Sequence, residues 1–232
     1  MKIIILAGGF GSRLSEYTKE IPKPMVEIGG KPMIWHVMNI YTKYNYSNFL
    51  IALGHKGEII KNYFSKNNED WNIELIDTGE NTMTGGRLKR LKNFVGNETC
   101  MLTYGDGLAN IDINSLLKFH KKHGKLVTVT AVHPPARFGA IKLDGDRVSN
   151  FKEKSKMEEG WINGGFFVIE PGFFDYIKDD STYLEREPLE LAAKKNELYA
   201  FRHDGFWQCM DTKRDKDHLE EIYKKGLAPW QK

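Results

Sequence analysis

Five apolar residues, Ile3-Ile4-Ile5-Leu6-Ala7, run directly into Gly8-Gly9-Phe10-Gly11. So short and uniformly apolar a run reads as a strand in the buried middle of a parallel sheet, which carries helices over both faces. A secretory leader needs a core of roughly 7–15 apolar residues, and a membrane span roughly 20. Nothing else in the chain approaches either length, so the expectation is a cytoplasmic protein without a membrane partner.

Downstream, strand signals alternate with helical periodicity. Pro32 suits the first turn of a helix running to about Thr42, with Met33, Ile34, Val37 and Tyr41 on one side. Asn48–Leu53, Trp71–Asp77 and Thr99–Thr103 read as strands; Gly57–Ser65, Gly86–Val95 and Ile113–His123 read as helices. This order predicts a parallel sheet with helices on both faces. The second half is more mixed. Leu126–Val132, Ile162–Glu170, Leu198–His203 and Phe206–Met210 read as strands. Ala140–Leu143 and Arg147–Lys152 flank Asp144-Gly145-Asp146, a hairpin signal. Glu187–Lys195 and the charged Thr212–Lys225 read as helices. The fold class expected is α/β, a mostly parallel sheet flanked by helices with a smaller antiparallel portion in the second half. A single domain is expected over residues 1–232.

Composition narrows the function classes. At 41% hydrophobic and 28% charged residues the chain can bury a core, which excludes disorder. Its 34 Lys and Arg against 31 Asp and Glu leave a net charge of +3, too even for nucleic-acid binding by bulk charge. Cys100 and Cys209 are too few for a disulfide framework. His120 and His123 stand one helical turn apart among Lys121, Lys122 and Lys125, and are expected on a solvated helix face rather than at a metal.

Open parallel sheets collect ligands at the carboxyl ends of their strands. The loop after the first strand is therefore the first place to look for chemistry. Its glycines allow close backbone approach, so successive N–H groups can cradle an anion, and Arg13 adds a planar cation for phosphate. The dinucleotide fingerprint fails because Leu14 stands where a third glycine is needed, and no Gly-Lys-Ser/Thr occurs. Pro22-Lys23-Pro24-Met25 holds one lysine between two prolines, which predicts a stiff, extended segment. Asp106 follows a strand between Gly105 and Gly107, and Asp211 follows another. Taken singly each aspartate reads equally well as a loop or cap residue.

Leu6–Leu14 followed by Pro22–Met25 resembles the signature of sugar-phosphate nucleotidylyltransferases. The likeness continues through Met83-Thr84-Gly85-Gly86-Arg87, Tyr104-Gly105-Asp106-Gly107, Pro135–Ala140, Ile162–Phe167, Glu187-Pro188-Leu189 and Phe206–Thr212, and is similar to the cytidylyltransferase branch. The resemblance implies a Rossmann-like sheet and a Mg²⁺-dependent transfer of CMP from CTP to a phosphorylated acceptor, glucose 1-phosphate in that branch. A sugar phosphate is already anionic at neutral pH, so the missing Ser-His-Asp pattern agrees with such a reaction. It further implies Arg13 at the β/γ phosphates, Lys23 at the α-phosphoryl group and acceptor, and Asp106 and Asp211 at the metal. The nucleotide would meet Leu6, Ala7, Gly8, Gly9, Gly11, Ser12, Thr82, Gly85, Arg87 and Gly105. The acceptor would meet Gly139, Lys154, Asn163 and Glu187. By the same likeness residues 1–125 serve mainly the nucleotide and 126–211 the acceptor, with 212–232 a terminal helix, in a homo-oligomer. The chain lacks an insertion that the family carries between Tyr63 and Trp71. The alternative for Arg87 is a surface residue of its helix, and for Glu153–Lys154 an ordinary surface pair. A different phosphorylated acceptor, another nucleotide, and a non-catalytic nucleotide-binding module remain the alternatives.

Overall fold

The computed structural model describes residues 1–67, 69–135, 140–152 and 160–232, with side chains for all of these except 140–143 and 150–152. Its strands are β1 (Ile3–Leu6), β2 (Glu27–Ile28), β3 (Lys31–Pro32), β4 (Asn48–Leu53), β5 (Asn72–Asp77), β6 (Cys100–Tyr104), β7 (Gly107–Ala109), β8 (Val127–Val132), β9 (Ala140–Asp144), β10 (Arg147–Lys152), β11 (Ile162–Ile169), β12 (Leu198–His203) and β13 (Trp207–Cys209). Its helices are α1 (Ser15–Thr18), α2 (Met33–Thr42), α3 (Gly57–Lys66), α4 (Thr84–Arg90), α5 (Lys92–Val95), α6 (Ile113–His123), α7 (Glu187–Lys194) and α8 (Lys213–Lys224).

Among the described residues seven strands form one sheet in the order β12-β8-β11-β6-β1-β4-β5. Neighbours run parallel except β11, which is antiparallel to both β6 and β8. The uniform apolarity of β1 has a direct cause. Ile3 and Ile5 face one core with Met33 and Val37 of α2, while Ile4 and Leu6 face a second core with Leu88 and Leu102. From β1 the chain moves outward to β4 and β5, then returns to β6 on the other side. That reversal opens a crevice at the carboxyl ends of β1 and β6. Three small antiparallel pairs, β2/β3, β7/β13 and β9/β10, complete the described architecture. No helix among the described residues is long and apolar enough to cross a membrane.

Two expectations change. The helix expected at Gly86–Val95 begins at Thr84 and breaks at Leu91, whose N–H reaches back to Leu88 O at 3.0 Å, a tightened turn that keeps Leu88, Leu91 and Val95 all buried. The His120/His123 face is not a solvated one, since His120 is 1% exposed. It falls on the stripe Ile113, Leu116, Leu117, His120, the buried side of α6. There its two nitrogens meet Thr128 Oγ1 at 2.8 Å and Glu170 Oε1 at 3.0 Å, and His123 Nε2 meets the same Thr128 oxygen at 2.7 Å.

A second buried histidine ties α2 to the last residues of the chain. His36 Nε2 lies 2.8 Å from Ile28 O, which can only accept, so Nε2 carries the proton and Nδ1 accepts from the Trp230 indole N–H at 3.4 Å. Burial holds the pKa of His36 below the ordinary histidine value. The unfolded chain therefore takes up a proton at higher pH than the folded one. Stability from this site is whole above the unfolded value and is lost as pH falls from there toward the lower folded pKa. The urea midpoint should drop between pH 7.5 and 5.5, and His36→Gln should shrink that drop; an equal drop in both proteins would refute the assignment.

Candidate active site

The site begins with the register of two strands. Leu6 lies opposite Tyr104, and Gly105 N–H donates to Leu6 O at 3.1 Å. The loops that follow, Gly8–Arg13 and Gly105–Gly107, thus leave the sheet at one level. Gly11 adopts φ +64°, and a Cβ there would stand 2.9 Å from Thr18 Cγ2 and 3.1 Å from Lys23 Cβ. Only glycine fits both the left-handed backbone and the passing lysine stem. The next three residues, Ser12–Leu14, make a 3₁₀ turn that buries Leu14 and leaves Arg13 exposed.

Lys23 was expected on an extended segment. Pro22 is extended, but Lys23–Met25 form a 3₁₀ turn closed by Met25 N–H to Pro22 O at 2.8 Å and Val26 N–H to Lys23 O at 3.1 Å. The turn buries the lysine and sends its ammonium toward two carboxylates. Lys23 Nζ lies 2.6 Å from Asp106 Oδ2 and 2.6 Å from Asp211 Oδ1. Those two oxygens are at most twice that distance apart. Arg13 Nη1 holds the other oxygen of Asp211, Oδ2, at 2.8 Å. Burial works against the Lys23 charge, but Asp106 and Asp211 outweigh it and keep its pKa above the ordinary lysine value. Burial likewise opposes ionisation of Asp211, and the Lys23 hydrogen bond and charge, with Arg13, hold its pKa below the ordinary carboxylate value.

Asp211 and Asp106 are brought together by the β7/β13 ribbon. Cys209 pairs with Gly107, and Met210 N–H donates to Asp106 O at 2.9 Å. The α8 capping box finishes the placement: Asp215 Oδ2 accepts from the N–H of Asp211 at 3.2 Å and of Thr212 at 2.9 Å. Cys209 Sγ lies 3.7 Å from Asp211 Oδ2, and its thiol pKa is pushed up to about 12 by burial and by Asp211, Asp106 and Asp215. It is a neutral thiol in the wall, as its neighbourhood requires.

Two cavities meet at this cluster. The larger, about 410 Å³, is lined by Leu6, Ala7, Gly8, Gly9, Gly11, Ser12 and Gly105 from the two loops, by Arg13, Lys23 and Asp106, and by Thr82 and Arg87 from the opposite wall. The smaller, about 220 Å³, is lined by Asn163, Gly164, Trp207, Cys209 and Asp211. Arg13, Tyr104 and Asp106 line both.

Arg87 is 4% exposed, which removes the surface reading. Its guanidinium donates to Gly8 O, Leu53 O, Gly79 O, Glu80 O and Thr78 Oγ1, all between 2.7 and 3.0 Å. It pins the ends of β1, β4 and β5 to one another while edging the cleft. A Cβ on Gly8 would fall 2.3 Å from Arg87 Nη1, so that glycine makes room for the guanidinium.

Other expected residues fall elsewhere. Gly85 packs under Thr182, donating its N–H to Thr182 O at 3.0 Å, and lines neither cavity. Glu187 opens α7, pairs with Lys178 at 2.7 Å, and also lines neither. Gly139 and Lys154 lie outside the described residues. Several liners went unassigned in the sequence: Phe10, Glu80, Thr84, Tyr183 and Glu185 of the larger cavity, Gly107 and Trp207 of the smaller, and Tyr104 of both. Tyr104 could have been flagged as the last strand residue before Gly105-Asp106. Glu185 carried no local signal.

The donor set suits a small hard cation. No three His, Cys, Asp or Glu side chains converge as a cage among the described residues. Asp106 and Asp211 offer hard carboxylate oxygens of the kind a divalent cation takes, and in this structure three of those four oxygens face the Lys23 and Arg13 cations.

The sequence pattern of the nucleotidyl transferase family matches residues 2–215. The chain is 48% identical to glucose-1-phosphate cytidylyltransferase of Salmonella typhi over 253 aligned positions, which cover 99% of this chain and 98% of that protein. A more distant relative, mannose-1-phosphate guanyltransferase of Aspergillus oryzae, is 31% identical over 98% of this chain and 65% of its own length. Among solved structures HddC from Yersinia pseudotuberculosis superimposes with a TM-score of 0.76 at 24% identity, covering 96% of this chain and 99% of that one, a likeness of fold.

Proposed function

The chain belongs to the nucleotidyl transferase family, and on that premise we propose that it transfers CMP from CTP to glucose 1-phosphate, giving CDP-glucose and pyrophosphate. The observation that carries this reading is the convergence of Lys23, Arg13, Asp106 and Asp211 where the two cavities meet. The larger cavity takes the nucleotide, with the base against Thr82 and the Arg87 wall and the phosphates toward the glycine loop. The smaller takes the acceptor.

In the reaction an oxygen of the acceptor phosphate bonds to the α-phosphorus as the bond to the α,β-bridging oxygen breaks, and pyrophosphate leaves with that electron pair. The attacking oxygen is already anionic, so no side chain need remove a proton. The barrier is electrostatic and positional. Lys23, fixed by its 3₁₀ turn, faces the α-phosphoryl group and neutralises charge that grows there. Arg13, whose side chain is exposed beside Asp211, meets the β and γ phosphates and the departing pyrophosphate. Asp106 and Asp211 would hold Mg²⁺, which supplies charge neutralisation between the two phosphates.

Pyrophosphate release measured with Mg²⁺, each common nucleoside triphosphate and a panel of phosphorylated acceptors tests the proposal. Release with CTP and glucose 1-phosphate is expected. The range of relatives makes the panel necessary, since one is named for a guanyl transfer to mannose 1-phosphate. Release with another acceptor alone would reassign the smaller cavity, and no release with any pair would remove the catalytic reading.

A further inference from the structure

Tyr104 stands on the boundary between the two cavities, and its hydroxyl is bonded on both sides. Toward the larger cavity it lies 2.7 Å from Glu185 Oε1. Toward the smaller it lies 3.2 Å from Asn163 Nδ2. An ionised carboxylate only accepts, so the Tyr104 proton points to Glu185, and its oxygen is left to accept from the Asn163 amide. Asn163 Oδ1 meanwhile accepts from Gly165 N–H at 2.8 Å, so the sense of that amide is set from both ends. The far oxygen of Glu185 is equally committed. Oε2 accepts from the Thr84 hydroxyl at 2.7 Å, and Thr84 Oγ1 accepts from Leu184 N–H at 2.9 Å. Thr84 is the first residue of α4, the helix that carries Arg87.

The hydrogens along this chain all point toward one carboxylate, from Asn163 through Tyr104 on one side and from Leu184 through Thr84 on the other. The second amide hydrogen and second carbonyl lone pair of Asn163 remain for a ligand, a pairing that suits a sugar hydroxyl, which both donates and accepts. We infer that Glu185, from the wall of the nucleotide cavity, is a positioning residue for the acceptor, fixing the Asn163 amide through the Tyr104 hydroxyl. The inference rests on the reading that the smaller cavity takes the phosphorylated sugar. Without the carboxylate the Tyr104 proton is free to turn toward the Asn163 amide hydrogens, the amide keeps only its Gly165 anchor, and the position of the pattern it offers the ligand is less firmly fixed.

Steady-state kinetics with CTP and glucose 1-phosphate tests this on four single variants and one double. Asn163→Ala should raise the acceptor KM about tenfold, and Tyr104→Phe and Glu185→Ala should do the same, while the nucleotide KM, whose cavity both residues also line, changes several-fold less. Glu185→Gln, whose carbonyl still accepts from Tyr104, should recover most of the loss. The Tyr104→Phe/Glu185→Ala double variant should be no worse than either single one, because both act along one route. A merely structural role for Glu185 would move both KM values equally and would not be rescued by glutamine, and either result overturns the inference. So does a double variant whose losses multiply. If Asn163→Ala raises the acceptor KM and Glu185→Ala does not, the cavity reading survives and the positioning role falls. If Asn163→Ala leaves the acceptor KM unchanged, both fall.

Discussion

Replacing Lys23 by alanine should lower the turnover number by about 10²–10³-fold while the nucleotide KM changes by less than about threefold. The asymmetry follows from what the ammonium does. In the free protein it is already neutralised by two aspartates at 2.6 Å, so it adds little net charge to attract the nucleotide. Its contribution comes when negative charge gathers at the phosphorus in transit. Truncation also leaves two carboxylates facing each other. Both open on a cavity, with side chains 29% and 17% exposed, so water or a cation can take the ammonium's place and the fold should survive. Lys23→Arg keeps the charge but puts a wider, planar group between two oxygens that now share one nitrogen, and should also be slow. Rapid-quench and steady-state measurements at saturating substrates read the effect. An unchanged turnover number in Lys23→Ala would remove the lysine from the chemistry.

Arg87→Ala should do more damage than any substitution at an exposed site. Its guanidinium meets four backbone carbonyls and one hydroxyl from three separate segments, and no carboxylate shares the charge in that shell. Burial accordingly holds its pKa below the usual arginine value. Removing it strands several acceptors at once, a loss of about 3 kcal/mol. The same change frees the Gly8 and Gly79–Glu80 peptides, so the nucleotide KM should rise by at least tenfold. Lysine cannot repair this, since an ammonium has three donors for five contacts. Urea unfolding and nucleotide titration measure the two effects. If Arg87→Lys matched the native protein in both, the guanidinium would not be the pin.

The local structure was largely legible because it is written in near-neighbour chemistry. Asn48–Leu53, Ile113–His123 and Leu198–His203 occur with the boundaries that their patterns predict. Departures arise where a distant partner decides. His120 follows the buried stripe of α6 despite three lysines around it, because Thr128 and Glu170 satisfy its nitrogens. Lys23 turns in a 3₁₀ bend rather than running extended, because its ammonium has two carboxylates to reach. Gly85 and Glu187 stand in recognisable motifs yet pack against Thr182 and Lys178. Motif membership does not say which way a residue faces.

By itself the sequence determined the alternation of elements, the glycine loop after β1 and the residue types available for phosphate and metal. Those depend on apolar period, turn residues and side-chain chemistry within a few positions of one another. Only the tertiary structure decided that Asp106 and Asp211, more than a hundred residues apart, share one lysine. That meeting depends on the β7/β13 pairing and the Asp215 cap, and hydrogen bonds between distant strands leave no periodicity in the chain. The same holds for the guanidinium of Arg87 and the carboxylate of Glu185: each acts through partners that folding supplies.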